Sequence, residues 1–186
     1  MGLLGEHQAA NAAVAVIVIN RLRERGVYVP DTAIVAGLKN VDWPARMEVI
    51  SRRPFVVLDC AHNLASAEAL VQTLSTSFPS TRRYLIFAGS GDKDLAGIFR
   101  ELAPYFQHIF LTSFVTSTRA VPPERLAEIL CGVSDVPYTM CPTSAEGWHT
   151  ARAQACPDDL ICITGSVFLA GELRPLLILN QNKSVP

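Results

Sequence analysis

The sequence is short of charge of either sign, with 16 lysines and arginines against 17 aspartates and glutamates and a net charge of −1. The densest basic stretch is Arg21, Arg23 and Arg25. It falls at the end of a predicted helix, where cations meet the negative end of the dipole. A nucleic-acid surface is therefore not expected. There is no C-x-x-C among the five cysteines, and His7, His62, His108 and His149 are scattered without ligand spacing. That argues against a disulfide framework and against a zinc site. Cys60 and Cys162 lie in apolar runs and read as small core residues of a reducing compartment. The longest apolar helical stretch, Ala9 to Ile19, is interrupted at Asn11. It falls short of the roughly 20 residues that span a membrane. No basic segment precedes it, so a signal peptide is not expected. A cytoplasmic protein is the expectation. The chain also lacks G-x-x-x-x-G-K-[ST] and G-x-G-x-x-G, so it carries neither a phosphate-cradling loop nor a dinucleotide fingerprint. No Ser-His-Asp order with nucleophile-elbow spacing is present, and no carboxylate pair can be placed face to face.

What is there is apolar: 49% of the residues are hydrophobic. At this length such a chain builds a core without staples. The pattern predicts helices over 7–25 and 31–39, the second capped by Asp31. A break follows at Asn40-Val41-Asp42-Trp43-Pro44. Beyond it, short apolar runs at 54–59, 84–88, 108–112, 138–140 and 160–164 alternate with helices over 64–77, 94–106, 123–131, 144–155 and 167–177. Alternation of that kind predicts a Rossmann-like, doubly wound α/β fold. It has about five parallel strands, one antiparallel edge strand at 46–51 and two extra N-terminal helices. Residues 1–45, 46–178 and 179–186 are expected to be a helical annex with linker, the α/β domain and a flexible tail. A helix apolar on every side, like 9–19, is normally packed on every side. Asn11 within it needs a partner, either protein or ligand, because burying a bare amide costs roughly 1–3 kcal/mol.

Open parallel sheets take ligands at the carboxyl ends of their strands, and the polar residues gather there. Asp59, His62 and Asn63 follow one strand; a strand-end carboxylate can accept ribose hydroxyls, and an imidazole near a helix start can meet an anion. Asn63 reads better as a helix cap. Asp92-Lys93-Asp94 follows the next strand; it can orient a phosphate or carboxylate, or serve as an ordinary turn with Asp92 or Asp94 as cap. Ser166 opens the last helix, as a cap or as an anion contact. Arg46, just past the break, can clamp phosphates bidentately or lie on the surface.

Taken in order, Gly5-Glu-His7-Gln8-x-x-Asn11, Trp43-Pro-Ala-Arg46-x-Glu48, Asp59-Cys-Ala-His62-Asn63, Asp92-Lys93-Asp94 and Thr164-Gly165-Ser166 resemble the C-terminal portion of the folylpolyglutamate synthase and dihydrofolate synthase family, within the Mur ligases. The resemblance implies an ATP-dependent ligase. It would add L-glutamate to folate or dihydropteroate through an acyl phosphate, releasing ADP and phosphate, as a cytoplasmic, monomeric enzyme. It implies ATP contacts at Asn11, Arg46 and Asp59, catalytic roles for Asp59 and His62, glutamate contacts at His62 and Ser166, and a candidate cleft loop at Asp92, Lys93 and Asp94. ATP with magnesium is the expected cofactor, with the metal ligands in a P-loop ATPase domain absent from this chain. Residues 1–45 would then be the last helices of that domain, and the fragment alone would be inactive. Dihydrofolate synthesis and polyglutamylation are not distinguished. The alternatives are another Mur-type amino-acid ligase, a non-catalytic nucleotide-binding module, or a scaffold that dimerises through helix 9–19. The family's usual glycine before the arginine is Ala45 here, and its frequent proline after Asn63 is Leu64; both are expected to be tolerated in turns that need no positive φ.

Overall fold

The computed structural model describes residues 2–182, with side chains through 179. The element order is α1 (Glu6–Glu24), α2 (Asp31–Asn40), β1 (Glu48–Arg52), β2 (Phe55–Leu58), α3 (Leu64–Ser77), β3 (Arg83–Phe87), α4 (Leu95–Leu102), a 3-10 turn (Ala103–Tyr105), β4 (His108–Leu111), α5 (Pro123–Cys131), β5 (Tyr138–Met140), α6 (Ser144–Gln154), β6 (Leu160–Thr164) and α7 (Val167–Asn182). The six strands form one sheet in the order β1-β2-β6-β3-β4-β5. β1 runs antiparallel to β2 at the edge, and every other pair is parallel.

The continuous apolar runs have a direct cause. Successive side chains of a strand point to opposite faces, and both faces of this sheet are covered. Val57, Leu85, Phe87, Ile109, Leu111 and Cys162 pack with α3, α4 and α5 on one side. Val56, Leu58, Ile86, Phe110, Ile161 and Ile163 pack with α6 and α7 on the other. The chain steps outward from β3 to β5, then returns through α6 to insert β6 between β2 and β3. The winding reverses there, so the crevice above the carboxyl ends of β2, β6 and β3 is the ligand-binding place of such a sheet.

Several local expectations are corrected. α1 is not packed on every side: Gln8 is its buried residue, while Val14, Ile17 and Val18 are 52–61% exposed. The helix docks by its N-terminal turn, where Gln72 Nε2 donates to Glu6 Oε2 at 3.0 Å. Asp31 is not a cap; Pro30 holds the N-cap position with no side-chain bond, and Asp31 pairs with Arg23 at 2.7 Å. The helix expected from Ser144 is capped by Thr143, whose Oγ1 accepts the Glu146 N–H at 3.2 Å. Ala45 and Met47 adopt positive φ, 56° and 47°, so the turn does need the conformation that glycine would supply. The tail expected to fray from 179 continues α7 through Asn182; residues 183–186 lie outside the described residues. No helix among the described residues is long and apolar enough to cross a membrane.

Candidate functional site

Asp59 directly follows β2 and is buried. Its Oδ1 accepts the Ala61 N–H at 2.7 Å and its Oδ2 accepts the Met47 N–H at 2.9 Å. One carboxylate thus shapes its own turn and ties it to the 43–47 turn. Each oxygen keeps a lone-pair direction free. His62 Nδ1 lies 2.9 Å from the Cys60 carbonyl oxygen. That contact requires a proton on Nδ1, so in the neutral ring Nε2 is the acceptor. Asn63 caps α3 through Ser66 in a reciprocal capping box, as its spacing suggested.

The turn carrying Arg46 is clamped from two directions. Arg174 from α7 grips Glu48 with Nε and Nη2, at 2.9 and 2.9 Å, and the Ala45 N–H donates to Glu48 Oε2 at 2.8 Å. Burial raises the Glu48 pKa, but the Arg174 hydrogen bond and the Ala45 N–H outweigh it, and the carboxyl titrates below its ordinary value. Two left-handed residues flanking one arginine cost on the order of 1–2 kcal/mol each. They persist because Asp59 and Glu48 hold their N–H groups. Arg46 itself is half-buried and joins no ion pair among the described residues.

Asn11, Arg46 and Asp59 come together around one hollow of about 200 Å3, shared with His7, Met47 and Ser66. Asn11 and Arg46 also line an adjoining, larger hollow of about 370 Å3, with Ala12, Ala15, Leu38 and Trp43. One wall is therefore apolar and the junction carries an amide, a guanidinium and a carboxylate. Asn11 is exposed and its Nδ2 donates to Gln8 Oε1 at 3.2 Å.

Other sequence candidates lie apart from this junction. Ser166 is buried and accepts the Phe168 N–H at 3.1 Å. Gly165 before it has φ 106°, and a side chain there would strike the Ala88 carbonyl oxygen, so only glycine fits. Thr164 Oγ1 donates to the Ala61 carbonyl at 3.4 Å, which joins the Ser166 turn to the Asp59 turn. Asp94 caps α4 by accepting the Gly97 N–H at 2.9 Å. Lys93 pairs with Asp92 at 3.0 Å and, through that hydrogen bond first, lowers the Asp92 pKa. Lys93 and Asp94 line a separate hollow of about 350 Å3 with Arg125 and Val121. Among the described residues no group of three His, Cys, Asp or Glu is placed to hold a metal ion. Sequence reasoning did not assign roles to His7, Gln8 or Trp43; the signal available was the i, i+4 spacing of His7 and Asn11, which puts both on one helix face.

The reversal at β6, with polar turns beside it, defines an α/β domain of the kind that takes ligands across its switch-point crevice. The family model described as Mur ligase, glutamate ligase domain, matches residues 45–167, and the chain belongs to that family. It is 36% identical over 174 residues to a probable bifunctional folylpolyglutamate synthase/dihydropteroate synthase of Halobacterium salinarum, covering 92% of this chain and 20% of that protein. It superposes on a Mycobacterium tuberculosis folylpolyglutamate synthase complexed with ADP at TM-score 0.85 and 31% identity, covering 94% of this chain and 41% of that one. A Yersinia pestis bifunctional folylpolyglutamate synthase/dihydrofolate synthase with Mn, AMPPNP and L-glutamate bound matches at TM-score 0.76 and 27% identity, over 90% and 39% of the two chains. The chain thus spans about a fifth of the first relative and about two-fifths of the other two.

Proposed function

We propose that this chain supplies one jaw of an ATP-dependent ligase that adds L-glutamate to folate or dihydropteroate. The observation that carries the reading is the convergence of Asn11, Arg46 and Asp59 on adjoining hollows. In the reaction, a substrate carboxylate attacks the γ-phosphorus of ATP and displaces ADP. The glutamate amine then attacks the acyl carbon and expels phosphate, leaving an amide. Asn11 meets the base against the apolar wall, Asp59 receives ribose hydroxyls on its free lone pairs, and Arg46 steadies phosphate charge. His62, with Nε2 proton-free, accepts a proton from the incoming ammonium, and Ser166 offers its hydroxyl to the glutamate carboxylate. The Asp92-Lys93-Asp94 loop follows β3, at the same carboxyl end of the sheet but in its own hollow.

The residues fit a nucleotide: an arginine with no carboxylate partner beside an apolar slot is what a phosphate and a base require. They do not gather a magnesium site, and the chain has no phosphate-cradling loop. On this reading both come from a P-loop domain of the same enzyme, to which residues 1–45 belong. Closure of the two jaws would keep water from the acyl phosphate. The 186-residue chain alone would then bind nucleotide and ligate nothing.

Calorimetric titration with ADP tests this. Arg46→Ala is expected to weaken binding roughly ten- to hundredfold, the worth of a charge-assisted contact. Unchanged affinity in Arg46→Ala, or amide formation by the chain alone, would sink the proposal.

A further inference from the structure

Arg46 joins no ion pair among the described residues, so the turn that carries it decides where its guanidinium lies. That turn is held in a conformation it would not keep by itself. Ala45 and Met47, on either side of Arg46, have φ of 56° and 47°, where a β-carbon crowds the backbone. Two carboxylates hold them there. Asp59 Oδ2 accepts the Met47 N–H at 2.9 Å, and Glu48 Oε2 accepts the Ala45 N–H at 2.8 Å. Asp59 is rooted in its own turn through the Ala61 N–H. Glu48 is rooted in α7. Arg174 Nε donates to Glu48 Oε1 at 3.1 Å and to Oε2 at 2.9 Å, and Nη2 donates to Oε1 at 2.9 Å. A fork of that kind fixes the plane of the carboxylate as well as meeting its charge. Arg174 itself lines none of the hollows of about 370, 350 and 200 Å3 that Arg46 lines.

We propose that Arg174 is a positioning residue for the phosphate contact at Arg46 and acts through Glu48. This rests on the nucleotide reading above and deepens it, because it assigns part of the phosphate site to a residue outside the hollows. The grip of Arg174 does two things. It keeps Glu48 Oε2 aimed at the Ala45 N–H, which holds the turn. It also occupies a carboxylate that would otherwise compete for Arg46. Glu48 stands two residues along the chain from Arg46, lines the same hollow, and has a side chain only 20% exposed. Water screens such a charge poorly. Without a partner, that carboxylate would turn to the guanidinium that a phosphate needs. With Arg174 in place the Glu48 charge is met, and Arg46 keeps its donors for an incoming anion.

Calorimetric titration of the 186-residue chain with ADP tests this. Arg174→Met keeps the length and apolar stem of the side chain and removes the fork. It is expected to weaken ADP binding roughly tenfold, the low end of the loss expected for Arg46→Ala. Adding Glu48→Gln should recover most of that loss, because an amide oxygen still accepts the Ala45 N–H and offers Arg46 no charge. In Arg46→Ala, the further change Arg174→Met should cost nothing more, since no guanidinium is left to place. A general loosening of α7 behaves otherwise. It is not repaired at Glu48, and it adds in full to Arg46→Ala. Should Arg174→Met melt too low to titrate, Arg174→Lys carries the same comparisons with a smaller loss, because a point charge replaces the fork. Three results overturn the positioning role alone, provided that Arg46→Ala still weakens ADP: unchanged affinity in Arg174→Met, no recovery with Glu48→Gln, or losses at Arg46 and Arg174 that add. Unchanged affinity in Arg46→Ala, or no ADP binding by the intact chain, overturns the nucleotide reading and the positioning role with it.

Discussion

Ala45 sits at φ 56°, where a β-carbon crowds the backbone at a cost of roughly 1–2 kcal/mol. A glycine there would remove that cost, and it would also give the unfolded chain more freedom to lose, roughly 0.5–1 kcal/mol. The first effect is the larger one. Ala45→Gly is therefore expected to stabilise the protein by about 0.5–1 kcal/mol, measured as a higher urea midpoint at unchanged slope. A destabilised variant would mean that the methyl, buried at 8% exposure, contributes more by packing against the core than its backbone loses. The same residue marks a limit of sequence reading. The alanine in Trp-Pro-Ala-Arg suggested a turn without positive φ. Nothing local announces that Glu48 and Asp59, three and fourteen residues on, hold the Ala45 and Met47 N–H groups in place.

Among the elements, α3 shows how far local pattern reaches. Asn63 and Ser66 exchange N–H bonds at 2.9 and 3.1 Å, and the spacing alone suggested the cap. Asn63→Ala is expected to cost about 1 kcal/mol while leaving the ADP affinity of the chain unaltered, because Asn63 lines none of the hollows around Arg46. A variant that lost ADP binding without losing stability would place Asn63 in the site instead. The strands were equally legible, since covering both faces of the sheet writes a continuous apolar run into each. α1 was legible as a helix but not in its environment. Its length and apolarity suggested complete burial, whereas in the folded chain it docks by its first turn and leaves Val14, Ile17 and Val18 open. The elements of the candidate site were readable as separate turns; their grouping was not. Which turns meet depends on β6 inserting between β2 and β3, a long-range pairing that no local pattern encodes. That insertion brings the Ser166 turn against the Asp59 turn and leaves Lys93 and Asp94 in a different hollow.

For the whole molecule, burial sets a window of pH. His108 is half-buried, and desolvation lowers its pKa from the ordinary 6.5. The Glu48 carboxyl, despite burial, is lowered from 4.5 by Arg174 and the Ala45 N–H. In both cases the folded value lies below the unfolded one. Their stabilisation is present above the unfolded value and is lost as pH falls through the folded one, because the unfolded chain then binds more protons. Cys60, Cys141 and Cys162 are displaced the other way, all raised from 9.0, in each case by burial first. Their contribution is complete below the unfolded value and is lost as pH rises past it, since only the unfolded thiols ionise readily. The melting temperature should therefore be flat between 6.5 and 9.0. It should fall first through the histidine step on the acid side, then more steeply below 4.5, and fall again on the alkaline side. Variants separate the limbs. Glu48→Gln should lower stability in the plateau and flatten the fall below 4.5, leaving the alkaline limb in place. Cys162→Ala, which opens a small cavity in the sheet core, should lower the whole curve and flatten the alkaline limb only. An alkaline limb equally steep in Cys162→Ala would assign it to groups other than the fully buried thiol.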